Sequence, residues 1–278
     1  MKSKKFFQAL AAVAALTGVV GTANAGPLFW AINQFNTIQK LDGDTGAVVD
    51  SFAVPFGSGS AASIAVIGNI GYYTLLGNAA IQRVDMTLHT SLGSTFNIAP
   101  SGLVNGITPD AAGHLWFAGG GSDPIREYDT VGNLLSTHGF PSAASNYRDG
   151  SVVFDGFVIA NRGDQVGPYD KYSIPGGNGA LALINSAFIP AGSGSNGIAF
   201  NGINFYTSDE QLHKVSKWDI NGNFVSIANL DRNSRYENWT FASQDIIVPG
   251  PSVPEPATLT LLGLGLAGLG FARRRKTA

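Results

Sequence analysis

Four polar residues stand just ahead of short apolar runs: Asn105, Asp149, Asn196 and Asp245. Carboxylate and amide oxygens are hard ligands, and a ring of them converging on one point would suit a divalent cation such as Ca²⁺. A simpler use competes, because Asn105-Gly106 and Asn196-Gly197 are ordinary turn dipeptides, and a turn residue needs no ligand to explain it. A second group, Tyr147, Arg148, Arg162, Glu237, Asn238 and Trp239, falls in predicted loops. Such residues could line a sugar site, since aromatic faces stack on pyranose rings and Arg or Asn bonds hydroxyls. Alternatively, Tyr147 and Trp239 pack under long loops. Asp42-Gly43-Asp44-Thr45-Gly46 and Asp219-Ile220-Asn221-Gly222-Asn223 resemble calcium loops, but neither is completed by the Glu an EF-hand requires. An Asp side chain capping a tight turn accounts for both.

Nucleophilic catalysis finds little support. Cys is absent, no Gly-x-Ser-x-Gly elbow occurs, and His89, His114, His138 and His213 are scattered without metal-ligand spacing. His114 and His213 fall at strand or loop positions and are expected to face solvent. With no Cys there are no disulfides, so stability must come from burial and backbone pairing. The 36 Gly and 10% aromatic residues suit a turn-rich all-β domain.

The elements that would position these residues repeat. Ile38–Asp42, Ile81–Asp85, Ile125–Asp129, Tyr169–Ser173 and Val215–Asp219 share a pattern of two apolar positions and a terminal Asp or Ser, and their last residues lie 43, 44, 44 and 46 apart. Upstream of each anchor stand Trp30, Tyr73, Phe117, Ala160 and Tyr206, and further upstream Ile64, Ile107, Val152 and Ile198 open short apolar runs. The turn residues Gly46, Gly132, Gly176 and Gly222 follow the anchors. Four short strands per repeat at this period predict β-propeller blades, five in number. The first repeat lacks its innermost strand, and Gln244–Val248 reads as an innermost strand without a blade. Pairing the two would close the ring and leave no inner edge exposed. The expected fold is thus an all-β, five-bladed β-propeller over residues 26–248, closed by a C-terminal strand.

Both ends read as export signals. Lys2, Lys4 and Lys5 precede an apolar run and the triplet Ala23-Asn24-Ala25, the pattern of a signal peptide that signal peptidase would cut after Ala25. Residues 249–256 form a Pro-rich linker ending in Val253-Pro254-Glu255-Pro256. Residues 257–278 hold an apolar stretch and then Arg273-Arg274-Arg275-Lys276. The stretch from Ala257 to Ala272, if helical, is about 24 Å long, enough for a transmembrane helix with local thinning of the inner membrane. The basic cluster would stay cytoplasmic. Between the ends the body carries ten Lys and Arg against eighteen Asp and Glu, a net charge of −8, which argues against nucleic acid or anionic membrane as partners.

The order Pro-Glu-Pro, short apolar segment, Arg cluster resembles the PEP-CTERM sorting domain of exported proteins in Gram-negative bacteria. The resemblance implies recognition by an exosortase, cleavage near the motif, and release or attachment at the cell surface. It also implies an association with exopolysaccharide and biofilm, so polysaccharide or other matrix proteins are the expected partners. Gly106-Ile107-Thr108-Pro109-Asp110-Ala111-Ala112-Gly113-His114-Leu115-Trp116-Phe117 resembles the repeats of NHL and streptogramin-lyase-like propellers, and SMP-30-like lactonases carry a metal near the channel mouth of a similar fold. These likenesses keep two functions in view: a non-catalytic surface or matrix module, and a metal-dependent hydrolase or lyase. Clustering of Asn105, Asp149, Asn196 and Asp245 at ligand distances would favour the second.

Overall fold

The computed structural model describes residues 26–33, 35–55, 61–75, 78–98, 104–119, 123–141, 150–163, 166–230 and 236–240, with no side-chain placement for 61, 104, 105 and 236–239. Blade one is built from β1 (Leu28–Asn33), β2 (Thr37–Asp42) and β3 (Val48–Ala53). Blade two holds β4 (Ala61–Ile67), β5 (Ile70–Leu75), β6 (Ala80–Asp85) and β7 (Thr90–Asn97). Blade three holds β8 (Val104–Pro109), β9 (Leu115–Gly119), β10 (Ile125–Tyr128) and β11 (Leu134–Gly139). Blade four holds β12 (Ser151–Phe154), β13 (Phe157–Gly163), β14 (Val166–Ser173) and β16 (Ala182–Ile189), with the two-residue β15 (Gly179–Ala180) between the last two. Blade five holds β17 (Ser195–Phe200), β18 (Phe205–Asp209), β19 (Lys214–Trp218) and β20 (Phe224–Asn229), after which β21 (Tyr236–Thr240) ends the described chain.

Five sheets result, antiparallel but for one short parallel pairing, and in the first the order is β21-β1-β2-β3. The C-terminal strand therefore supplies the missing inner strand of blade one, and the fold is an all-β, five-bladed β-propeller. The closing segment differs from the expected one. Trp30 pairs with Thr240 and Ala31 with Trp239, so β21 occupies the inner edge of β1 that Gln244–Val248 was expected to take. Residues 244–248 lie outside the described residues. The apolar Ile246-Ile247-Val248 run was a misleading cue, because inner strands here also carry buried polar residues such as Ser63, Ser151 and Asn196. The connection from β20 to β21 is also as short as those that enter β8 and β17.

Packing follows the ring. The buried apolar residues fall into five clusters, one at each junction between blades. Phe29 and Leu41 of blade one meet Tyr206 and Val215 of blade five, the junction that a linear stack would lack. Inner strands are buried on both faces, as in β17, whereas β20 exposes most of its residues. Both outcomes follow from blades stacked face to face with their outermost strands toward solvent.

The repeated Asp is a turn device. Asp42 Oδ1 accepts hydrogen bonds from Asp44 N at 3.0 Å and Thr45 N at 2.8 Å, and Asp219 Oδ1 from Asn221 N at 2.9 Å and Asn223 N at 2.8 Å. Asp85 and Asp129 do the same in blades two and three. Bonds donated to the ionised form hold the Asp129 and Asp219 carboxyls below their ordinary range. The turn glycines then set the spacing between blades. At Gly46 (φ +74°) an added Cβ would overlap the Asn229 carbonyl oxygen, and at Gly222 (φ +81°) that of Phe188, so each turn lies against the outer strand of the preceding blade.

Blade four departs from the pattern. Its anchor is Ser173, and the chain after it runs through Ile174-Pro175-Gly176-Gly177-Asn178 before entering β15. There β15 pairs in parallel with β11, His138 opposite Gly179, making blade three five-stranded. Asn178 Oδ1 accepts from Thr137 N at 2.8 Å, and Leu181 N donates to Gly139 O at 2.7 Å. This strap ties blade four to blade three and roofs the space between them.

Candidate functional site

Beneath the strap lies a cleft of about 860 Å³, within the size range of small-molecule sites. One wall comes from blade three and is polar. The Asp110–Gly113 turn joins β8 to β9, and Asp110 fixes it: Oδ1 accepts from Ala112 N and His114 N, both at 2.9 Å, while Oδ2 accepts from Trp116 Nε1 at 2.9 Å. Across β9, β10 and β11 a chain of polar contacts follows. His114 Nδ1 lies 2.7 Å from Glu127 Oε1, Ser136 Oγ donates to Glu127 Oε2 at 2.7 Å, and His138 Nε2 lies 3.0 Å from Ser136 Oγ. Sheet register makes this possible, because Glu127 sits directly opposite Trp116 on one side and Ser136 on the other. His138, 1% exposed, stacks on Trp116 with ring centroids 5.8 Å apart. Burial pushes its imidazole below the ordinary histidine range, while the Gly179 backbone and the Glu127 carboxylate pull weakly the other way.

The facing wall comes from blade four and the edge of blade five. Phe154 and Phe157 flank the β12–β13 turn, and Phe200 packs 4.5 Å from Phe154 by ring centroid. Lys171, on β14, lays its Nζ 4.0 Å from the Phe157 ring centre, 5.1 Å from that of Phe188 and 5.5 Å from that of Phe154. Elsewhere in the same blade, Arg162 donates to both oxygens of Asp170 at 2.9 and 2.7 Å. Burial would raise the Asp170 carboxyl, but Arg162 and the Ala187 N–H outweigh it and leave it below the ordinary value. That pair is structural.

The arrangement limits the chemistry. Ser136 and His138 touch, but the carboxylate contacts the serine hydroxyl and not the far nitrogen of the histidine. A nucleophilic serine needs its proton taken by the imidazole, with the acid behind that ring; here the hydroxyl gives its one proton to Glu127. A cation reading fares similarly. Ligand atoms of Asp110, His114 and Glu127 lie within 4.8 Å of one another, yet Asp110 is committed to its turn and to Trp116, and His114 to Glu127. The cleft presents aromatic faces, a lysine ammonium and satisfied acceptors, which suits binding.

Among the described residues, none of the expected binding or metal residues lines this cleft. Asp149, Asp245, Tyr147 and Arg148 lie outside the described residues, as do Ala23, Ala25, Val253, Pro254, Glu255, Pro256, Arg273, Arg274 and Arg275. Asn105 lies within β8, and Asn238 and Trp239 within β21, not in the loops expected for them. Asn196 lies within β17, 3% exposed, and its Oδ1 has no hydrogen-bond partner. His114, expected to face solvent, is half-exposed and is held by Glu127. The cleft itself was missed. Its one sequence cue is the Pro/Gly-rich strap after Ser173, where the repeat lengthens. Among the described residues, no helix is long and apolar enough to cross a membrane; the expected spanning segment lies beyond them.

No curated protein matches the chain. Among solved structures, a chain of a nidogen/laminin complex superposes with a TM-score of 0.50 at 13% identity, over 77% of this chain and 97% of that one. A virginiamycin B lyase from Staphylococcus aureus gives 0.44 at 13% identity over 76% of this chain and 72% of that one. A streptogramin B lyase gives 0.44 at 16% identity over 77% and 68%. At such identities the likeness is one of fold alone. Residues 252–276 match the PEP-CTERM protein-sorting motif, which implies export to the cell envelope and processing by an exosortase. The chain is an exported five-bladed β-propeller bearing a C-terminal PEP-CTERM sorting motif.

Proposed function

We propose that this protein is a non-catalytic binding module of the cell surface or extracellular matrix, delivered by its sorting tail and linked to exopolysaccharide and biofilm. The tail holds the chain in the inner membrane until an exosortase acts on it, and the propeller then engages a polysaccharide or another matrix protein. The observation that carries the reading is the sorting motif at 252–276, which follows a ring already closed by Thr240. Processing can therefore remove the tail and leave the folded body whole. The cleft supports the binding half, since its serine, histidine and carboxylate are arranged for mutual support and not for attack on a substrate. Replacing Pro254, Glu255 and Pro256 with alanine should leave an unprocessed, membrane-bound form on fractionation and immunoblotting. Normal release of that variant refutes the sorting reading.

A further inference from the structure

We propose that the cleft between blades three and four is a binding site for a carboxylate-bearing sugar, with Lys171 receiving the carboxylate and Phe154 and Phe157 stacking on the ring. The inference deepens the binding-module reading and rests on it. Its basis is the distribution of charge within the cleft. Glu127 is engaged by His114 and Ser136, and Asp110 by Trp116 and two backbone N–H groups. Lys171 is different: among the described residues its ammonium makes contacts only with aromatic rings, and no carboxylate lies within ion-pair distance of it.

A half-buried ammonium over ring faces recovers part of its lost hydration through cation–π attraction. Its three N–H donors have no protein acceptor among the described residues, and an incoming carboxylate supplies one with a charge-assisted bond. The rings beside it favour a ligand with an apolar face, which a pyranose presents through its axial C–H groups. Hydroxyls on the other side of such a ring meet the outer lone pairs of the Asp110 and Glu127 carboxylates and the Asn221 amide, all of which line the cleft. At about 860 Å³ the space holds a short oligosaccharide. The acidic body, net −8, disfavours long polyanions, so recognition should centre on one acidic unit at Lys171.

The test is calorimetric titration of the exosortase-processed protein with trigalacturonate and, as neutral counterpart, cellotriose. The expected result is saturable binding of trigalacturonate and at least tenfold weaker binding of cellotriose. Lys171→Met should weaken trigalacturonate binding at least tenfold without changing the melting temperature by more than a few degrees, and Lys171→Arg should retain most of it. Phe157→Ala should weaken it as well. Equal affinity for the two sugars, an unaltered Lys171→Met variant, or no binding of trigalacturonate overturns the inference. Chromatography of the mixture keeps the two claims apart: cleavage of the trimer refutes the non-catalytic reading, whereas intact, unbound trimer refutes only the ligand assignment.

Discussion

The turn glycines offer the sharpest test of how the ring keeps its spacing. Gly222 adopts φ +81°, and an added Cβ would overlap the Phe188 carbonyl oxygen on the neighbouring blade. Gly68 adopts φ +59° with nothing within 4 Å of the same added atom. Both alanine variants incur the left-handed backbone penalty, about 1 kcal/mol. Gly222→Ala must also push two blades apart against backbone that cannot rotate away, an overpacking cost of roughly 1–3 kcal/mol. The totals are about 1 kcal/mol for Gly68→Ala and about 2–4 kcal/mol for Gly222→Ala. For a domain of this size each kcal/mol lowers Tm by about 2–4 °C, so calorimetry should show losses of about 2–4 °C and about 4–16 °C respectively. Equal losses would refute the idea that these glycines set the contact between blades, and would reduce them to turn residues.

Other expectations follow from the charged groups. Arg162→Met leaves Asp170, its side chain 7% exposed, with the Ala187 N–H and Tyr172 hydroxyl; since Arg162 is itself partly exposed and screened by solvent, urea unfolding should show a loss below the roughly 3–5 kcal/mol of a fully buried pair, about 2 kcal/mol. That loss should shrink in acid, because the depressed Asp170 carboxyl contributes stability present above its unfolded value of about 3.8 and lost as pH falls through its lower folded value. His138 acts in the other pH window: its folded pKa lies below 6.5, so the unfolded chain takes the proton first and stability should fall as pH drops below 6.5. Titrating Tm against pH in His138→Gln checks this, since the variant should lose that part of the slope.

Much of the fold was legible because propeller blades are nearly independent copies. Asp42, Asp85, Asp129 and Asp219 perform the same backbone capping, so identical chemistry recurs at a fixed interval and the period can be read directly. Closure was legible in kind but misplaced by a few residues. Apolar content pointed to Ile246–Val248, whereas register and connection length favour Tyr236–Thr240. The cleft was not legible, because it depends on cross-strand register within blades three and four as well as on how they face each other. Glu127 meets its partners through sheet register, and Lys171 meets Phe188 across its own blade through β14–β16 pairing. The four residues expected to gather around a cation were chosen by a common position in the repeat; the strap, which makes the site, exists only where blade four breaks that repeat.

Closure by β21 also has a mechanical consequence. The strand that clasps the ring is the last described element before the sorting motif, so clasp and motif follow one another along one chain. If the tail tethers the protein as proposed, tension along it reaches β21 first and β1 through it. Peeling that strand from β1 would open the circle while leaving four complete sheets intact, and strain would be relieved at the seam before it reached the cleft under the strap.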